Sequence, residues 1–126
     1  MKYLGLDYGE KRVGIAVSDE EATIAFPRIA ALNDEKLFPL IAEIIRKEKI
    51  GKIIIGDTRS SGGLPNPITK HVEDFADVLH AYTAIPVSFV PEIWSSVEAA
   101  RFSQDTKRND ASAAAIILQR YLDGLR

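Results

Sequence analysis

Three carboxylates stand where the surrounding sequence pattern would bring them together. Asp7 closes a β-type run, Tyr3-Leu4-Gly5-Leu6, Glu92 follows a second run over Val87–Val90, and Asp110 opens the last helical pattern. Asp110, Ala114, Ile117, Leu118 and Tyr121 recur at helical spacing, so this acid falls on the inward stripe near the helix start. Carboxylates converging from such positions repel one another, and burial adds a further penalty to each charge. Divalent cations relieve both effects, and hard oxygen ligands suit Mg2+ or Mn2+. The chemistry this would serve is in-line phosphoryl displacement, in which two cations ~3.5–4 Å apart activate a water and stabilise the leaving oxygen. The acids then act as metal ligands rather than necessarily as proton shuttles. Asp57 directly follows Ile53–Gly56 and emerges at the same edge, a candidate fourth ligand or a substitute for Glu92.

Each acid also has a plainer reading when taken alone. Asp110 can be an N-cap or a complement to the helix dipole. Asp7 before Tyr8-Gly9 can be a turn former, Asp57 likewise in a Gly/Ser loop, and Glu92 after Pro91 a solvated loop acid. Their expected convergence carries the weight. Other site chemistries are excluded or weakened by composition. The absence of cysteine rules out disulfides, cysteine-based zinc sites, iron–sulfur clusters and thiol catalysis. His71 and His80 lie nine apart on one helical pattern, a poor spacing for a metal pair, and read as surface residues.

The elements that must position these acids follow from periodicity. Tyr3–Asp7, the turn-like pentad Tyr8–Arg12 and Val13–Ser18 read as a β-hairpin. Thr23 to Leu32 supplies a third strand, broken or displaced to an edge by Pro27. Leu37, Leu40, Ile41, Ile44 and Ile45 form one helical stripe. Asn33 or Asp34 is placed to cap that helix, Pro39 sits in its first turns, Lys47 and Lys49 suit its negative end, and Gly51 is the expected terminator. Ile53-Ile54-Ile55 reads as a strand buried on both faces. A Gly/Ser/Pro loop, Gly56 to Pro65, precedes an Asn66-Pro67 helix start with stripe Ile68, Val72, Phe75, Leu79. Pro86 to Val90 is another strand, Ser95-Ser96-Val97-Glu98 a capping box opening a short helix, and Ser103–Asn109 a loop before the final helix. The order β-β-β-α-β-α-β-α-α predicts an α/β fold: a mixed five-stranded sheet with an antiparallel three-strand meander and helices on both faces. It is the order of a ribonuclease H-like fold, with the first strand central and its carboxyl end facing a cleft.

The 126 residues suit one domain, 1–126, of ordinary core size. Sixteen Lys and Arg against eighteen Asp and Glu give −2, which weighs against nucleic acid unless the cations are locally arranged. No basic, apolar leader precedes the first strand, and no apolar run approaches the ~20 residues of a membrane span, so the expected setting is cytoplasmic.

The stretch Leu4-Gly5-Leu6-Asp7-Tyr8-Gly9-Glu10-Lys11-Arg12-Val13-Gly14-Ile15-Ala16-Val17-Ser18-Asp19 closely resembles the opening motif of the YqgF/RuvX family. Ile53–Gly56, Pro91-Glu92 to Ser96–Ala99, and Asn109–Ala114 to Ile117–Leu122 resemble it in order, so the likeness spans almost the whole chain. That resemblance implies a ribonuclease H-like, metal-dependent nuclease related to Holliday junction resolvases, acting on structured RNA in maturation of the 16S 5′ end. It implies Asp7, Glu92 and Asp110 as the catalytic acids. Departures cluster in regions expected to meet substrate. Asp57–Gly63 stands where the family usually has Leu-Pro and an Asn–x–Asp-Gly loop, Ile93 replaces a usual Arg, and the loop before Asp110 keeps only Lys107 and Arg108 of a more basic stretch. The implication is a divergent member with altered or weakened substrate recognition.

Phosphate contacts would come from Lys11, Arg12, Arg59, Lys107 and Arg108, which together would rim the acids although each alone reads as a solvated cation. Trp94 can stack on an unpaired base, yet a tryptophan opening an amphipathic helix is more often a core anchor. The implied partner is nucleic acid, RNA before DNA, with ribosomal precursor particles as its setting, and a chain that is monomeric or a weak homodimer. Two readings of nucleic-acid binding compete with the nuclease of RNA: a catalytically weak or silent binding module of the same fold, and a Holliday-junction-type DNA resolvase. An actin-like ATPase, loosely suggested by Asp7-Tyr8-Gly9, needs two related domains, which this length does not hold.

Overall fold

β1 (Lys2–Asp7) runs through the middle of a five-stranded sheet of order β3-β2-β1-β4-β5. The remaining strands are β2 (Arg12–Ser18), β3 (Ala25–Leu32), β4 (Ile50–Asp57) and β5 (Val87–Pro91), and the helices are α1 (Leu37–Glu48), α2 (Thr69–Thr83) and α3 (Asn109–Gly124). The computed structural model describes residues 1–57, 69–91 and 109–125, with the backbone alone at Asp57, Thr69, Pro91, Asn109 and Asp110. β1–β2 and β2–β3 pair antiparallel, as the hairpin and meander require, while β1–β4 and β4–β5 pair parallel. This is the expected mixed sheet. The expected short helix at Ser95, the Asn66-Pro67 cap and Ile68 lie outside the described residues.

Strand alternation sorts the core into two layers. Leu4, Leu6, Val13, Ile15, Ile53 and Ile55 face α1 and α2, where they meet Leu37, Ile41, Val72, Phe75 and Leu79. Ala16, Ile54 and Val90 face the other way, against Ala114, Ile117, Leu118 and Leu122 of α3. Ile53, Ile54 and Ile55 are all fully buried, so the continuous β-branched run is covered on both sides as expected. Burial of such a side chain stabilises the fold by about 1.5–3 kcal/mol. Gly5 sets the spacing of the second layer. A Cβ added there would lie 2.7 Å from the Leu118 Cβ and 3.0 Å from the Ala114 carbonyl oxygen, so α3 rests directly on the β1 backbone.

Two expected helix boundaries are corrected. α1 ends on Lys49, which takes the left-handed conformation (φ 55°) and donates its N–H to the Ile45 carbonyl, leaving Gly51 free to enter β4. Gly51 instead admits Met1, whose Cγ would stand 2.6 Å from an added Cβ. At the other end neither Asn33 nor Asp34 is the N-cap. That position is Lys36, with no side-chain cap. Asp34 tightens the preceding turn by accepting the Lys36 N–H at 2.9 Å, and Asn33 is recruited elsewhere, as described below.

β3 starts at Ala25 rather than Thr23 and forms the sheet edge, with Pro27 within it as anticipated. Ile15 pairs with Ile29 and Ala16 with Pro27, so Arg28 is an extra, unopposed residue, a β-bulge. Thr23 and Ile24 belong to a loop organised by Asp19, whose carboxylate accepts both their N–H groups, at 2.7 and 3.0 Å, and the Thr23 hydroxyl. No helix among the described residues is long and apolar enough to cross a membrane.

Candidate active-site edge

Asp7 is the last residue of the central strand and is half-buried. By alternation it shares the α3 face with Tyr3 and Gly5. α3 runs back along that face antiparallel to β1. Tyr3 meets Tyr121 edge-on with ring centroids 5.5 Å apart, and Gly5 meets Leu118 and Ala114. Moving two residues along the strand advances ~6.8 Å, somewhat more than the 5.4 Å of one helical turn. The C-terminal end of β1 is therefore level with the first turn of α3, one turn before Ala114, which is where Asp110 lies in the backbone.

The ends of β4 and β5 complete this edge. Leu6 is in register with Ile55, and Asp57 with Pro91, so the carboxyl ends of three adjacent parallel strands finish together. Glu92 is the residue after Pro91 and lies outside the described residues, as do Trp94, Arg59, Lys107 and Arg108. Position 57 falls in the alternation of Ile53 and Ile55, the register of the α1/α2 face, whereas Asp7 belongs to the α3 face. Among the described residues no group of three or more His, Cys, Asp or Glu side chains is assembled.

Lys11 and Arg12 are exposed at the same edge. Gly14 pairs with Asp7, and Arg12 begins β2 two residues before it. The turn that carries them is tight, since a Cβ on Gly9 would sit 2.5 Å from the Arg12 carbonyl oxygen. Asn33 braces it from the end of β3. Its side-chain amide donates to the Gly9 carbonyl at 2.9 Å and its backbone N–H to the Lys11 carbonyl at 2.9 Å. His71 and His80 are exposed, in keeping with the surface reading. A His80 Nδ1–Ile85 carbonyl contact of 2.8 Å ties that ring to the end of α2.

Three positioning residues escaped sequence reasoning. Asn33 looks like a cap from local sequence, because its true partners lie across the sheet. Gly5 carries a signal, a glycine inside a strand, which often marks close approach of another backbone. Gln119 of α3 donates to the Thr23 carbonyl and accepts the Ala25 N–H, both at 2.9 Å, pinning the helix to the β2–β3 connection. It also donates to Asp123 at 3.0 Å. No spacing rule predicts a glutamine reaching 96 residues back.

A family model described as "RuvX: Holliday junction resolvase" matches residues 1–124. Curated relatives carry the name "Putative pre-16S rRNA nuclease". One, from Maridesulfovibrio salexigens, is 36% identical and spans 97% of this chain and 98% of its own. Another, from Burkholderia mallei, is 38% identical over 97% of this chain and 88% of the relative, and a third, from a Sulfurihydrogenibium species, is 37% identical over 98% and 91%. Among solved structures, Thermus thermophilus RuvC in complex with a Holliday junction substrate superposes with a TM-score of 0.63 at 12% identity, covering 97% of this chain and 93% of RuvC. The Fowlpox virus resolvase with its Holliday junction DNA gives 0.60 at 12%, covering 99% of both. At such identity these two show the fold, which is ribonuclease H-like. From the near-complete match and the relatives above 35% identity, the chain belongs to the RuvX family.

Proposed function

We propose that this protein is a metal-dependent nuclease that hydrolyses phosphodiester bonds of structured RNA during maturation of the 16S rRNA 5′ end, in the cytoplasm. The observation that carries the proposal is the placement of Asp7: a half-buried carboxylate at the end of the central strand, on the face where α3 begins. The names of the relatives support RNA as the substrate.

Asp7, Glu92 and Asp110 are the residues that would hold Mg2+ or Mn2+. The donor set fits: carboxylates alone, with no thiolate in the chain and both histidines turned to the surface. Bound divalent ions would supply an activated water and charge stabilisation at the leaving oxygen. Asp57, the last residue of β4, is kept as a candidate fourth ligand or a substitute for Glu92. Lys11 and Arg12 hold the RNA backbone beside the acids, with Arg59, Lys107 and Arg108 assigned the same task. Cations concentrated at one edge account for phosphate affinity in a chain whose total charge is −2.

The test is cleavage of a 16S precursor RNA leader with Mg2+ or Mn2+, beside a four-way DNA junction. Wild-type protein is expected to cut the RNA, and Asp7→Asn to bind it without cutting. RNA bound but uncut by wild type under every metal condition sinks the enzyme reading in favour of a silent module. Cleavage of the junction alone replaces RNA with DNA as substrate.

A further inference from the structure

We infer that the β3 edge is a self-association surface, on which a second copy of this chain adds its own β3 to make a continuous ten-stranded sheet. β3 is the outermost strand beside β2, and nearly all of it is exposed. Four large apolar side chains on or beside it remain open: Ile24 (51% exposed), Phe26 (49%), Ile29 (45%) and Leu32 (61%). They do not share a face. Phe26 and Ile29 pair with Val17 and Ile15, whose side chains enter the α1/α2 layer, whereas Leu32 lies at the opposite parity. A ligand or helix laid on one face would leave the other uncovered. Another strand addresses both, because edge pairing brings neighbours alongside each face together.

Charge disfavours phosphate-bearing and strongly charged occupants, and a second copy offers an equally neutral strand. Between Ala22 and Asn33 the only ionisable side chain is Arg28, and it is paired with Glu48. Such a strip has nothing to hold phosphate and nothing to favour an acidic or basic partner, but it is complementary to itself. Half-exposed side chains of this size leave on the order of 60–100 Å² each, so the four present roughly 300 Å². Even with Pro27, Arg28 and Ala30 exposed, β3 falls short of the ~800 Å² per partner of a standard-size interface, which suits a weak, concentration-dependent dimer.

The strand also specifies where pairing occurs. Pro27 lacks an N–H and the bulge at Arg28 breaks the ladder, so the N-terminal half is unsuited to regular pairing. Ile29 to Leu32 is the regular segment. Antiparallel pairing there about a two-fold axis normal to the sheet is isologous and closes at a dimer. It also reverses one β1 relative to the other. The two Asp7 edges then point away from each other, and each site works independently.

Sedimentation velocity up to about 100 μM, the weak end of specific association, tests this. Wild type is expected to shift from monomer to dimer with concentration. Ile29→Lys and Leu32→Lys, altering opposite faces of an exposed strand, should each abolish the shift while leaving circular dichroism and RNA cleavage per chain unchanged. A wild-type monomer throughout overturns the inference. So does a dimer that either substitution leaves intact, since a one-face contact would lose only one of them. Neither result touches the nuclease assignment, which is read from the cleavage assay.

Discussion

Replacing Gly5 with alanine adds one methyl group on the α3 face of the central strand, two residues before Asp7. Its Cβ would stand 2.7 Å from the Leu118 Cβ, about 0.7 Å inside the 3.4 Å at which ordinary contact begins, and 3.0 Å from the Ala114 carbonyl oxygen. Neither neighbour can swing aside, because one is fixed to the helix backbone and the other is part of it. The helix must lift. Overpacking of this kind costs about 1–3 kcal/mol, offset by the roughly 0.5–1 kcal/mol by which alanine outperforms glycine within a regular element. A net loss of about 1–2 kcal/mol in urea denaturation is expected.

The kinetic effect should be larger than the stability loss suggests. α3 carries Asp110 in its first turn, so a lift of several tenths of an ångström separates that turn from the end of β1. Misplacement of about 1 Å costs on the order of 10²-fold in rate. RNA cleavage by Gly5→Ala, assayed where the variant is fully folded, should fall about 10- to 100-fold in kcat with little change in KM. Gly124→Ala is the control, since an added Cβ there meets nothing within 4 Å, and it should leave cleavage intact. A Gly5→Ala variant that is destabilised yet turns over at the wild-type rate would refute the idea that the seating of α3 on β1 sets the site.

Four other outcomes follow from single side chains. The Ile24 N–H, the Thr23 hydroxyl and the Thr23 N–H hold the Asp19 carboxyl at about 2, below its ordinary 3.8. A depressed folded-state value means the stabilisation is complete above pH ~4 and is lost as pH falls toward 2. Asp19→Asn should flatten that part of the stability–pH curve measured by thermal melting. Gln119→Ala leaves the Ala25 N–H and Thr23 carbonyl without their partner and should destabilise the fold by about 1–3 kcal/mol by urea denaturation. Asn33→Ala loosens the turn bearing Lys11 and Arg12. It should raise KM for RNA several-fold at unchanged kcat, whereas Lys11→Ala should lower the slope of log affinity against log salt by about 1.

The elements with strong periodicity were legible from residues alone. Alternation over Leu4–Leu6 and Val13–Val17, the Ile53–Ile55 run, and the α1 and α3 stripes each describe a surface, and the surface found its layer. Boundaries failed where a residue took a conformation or partner that its type does not favour. Lys49 accepts a left-handed φ that glycine would ordinarily supply, and Asn33 satisfies the Gly9 carbonyl 24 residues earlier instead of its own helix. The edge at which Asp7 lies could be anticipated because strand ends in parallel sheets coincide. The register between β1 and β4 could not, since register is decided by contacts across the sheet.

On the proposed site assignment, the acid edge must be held from a distance. The proposed carboxylate cluster would be a destabilising arrangement until cations bind, so its own interactions could not be what brings its members together. The restraint must come from packing and hydrogen bonds elsewhere, and in this chain these lie deeper along α3 and β1. Tyr3 against Tyr121, the bare backbone of Gly5 under Leu118, and the Gln119 bridge to Thr23 and Ala25 fix the helix in translation, height and rotation. Those three contacts set how α3 as a whole lies along β1. Electrostatic strain in the proposed site would then be opposed by the core, and substitutions away from every acid should alter turnover more than their effect on stability alone predicts.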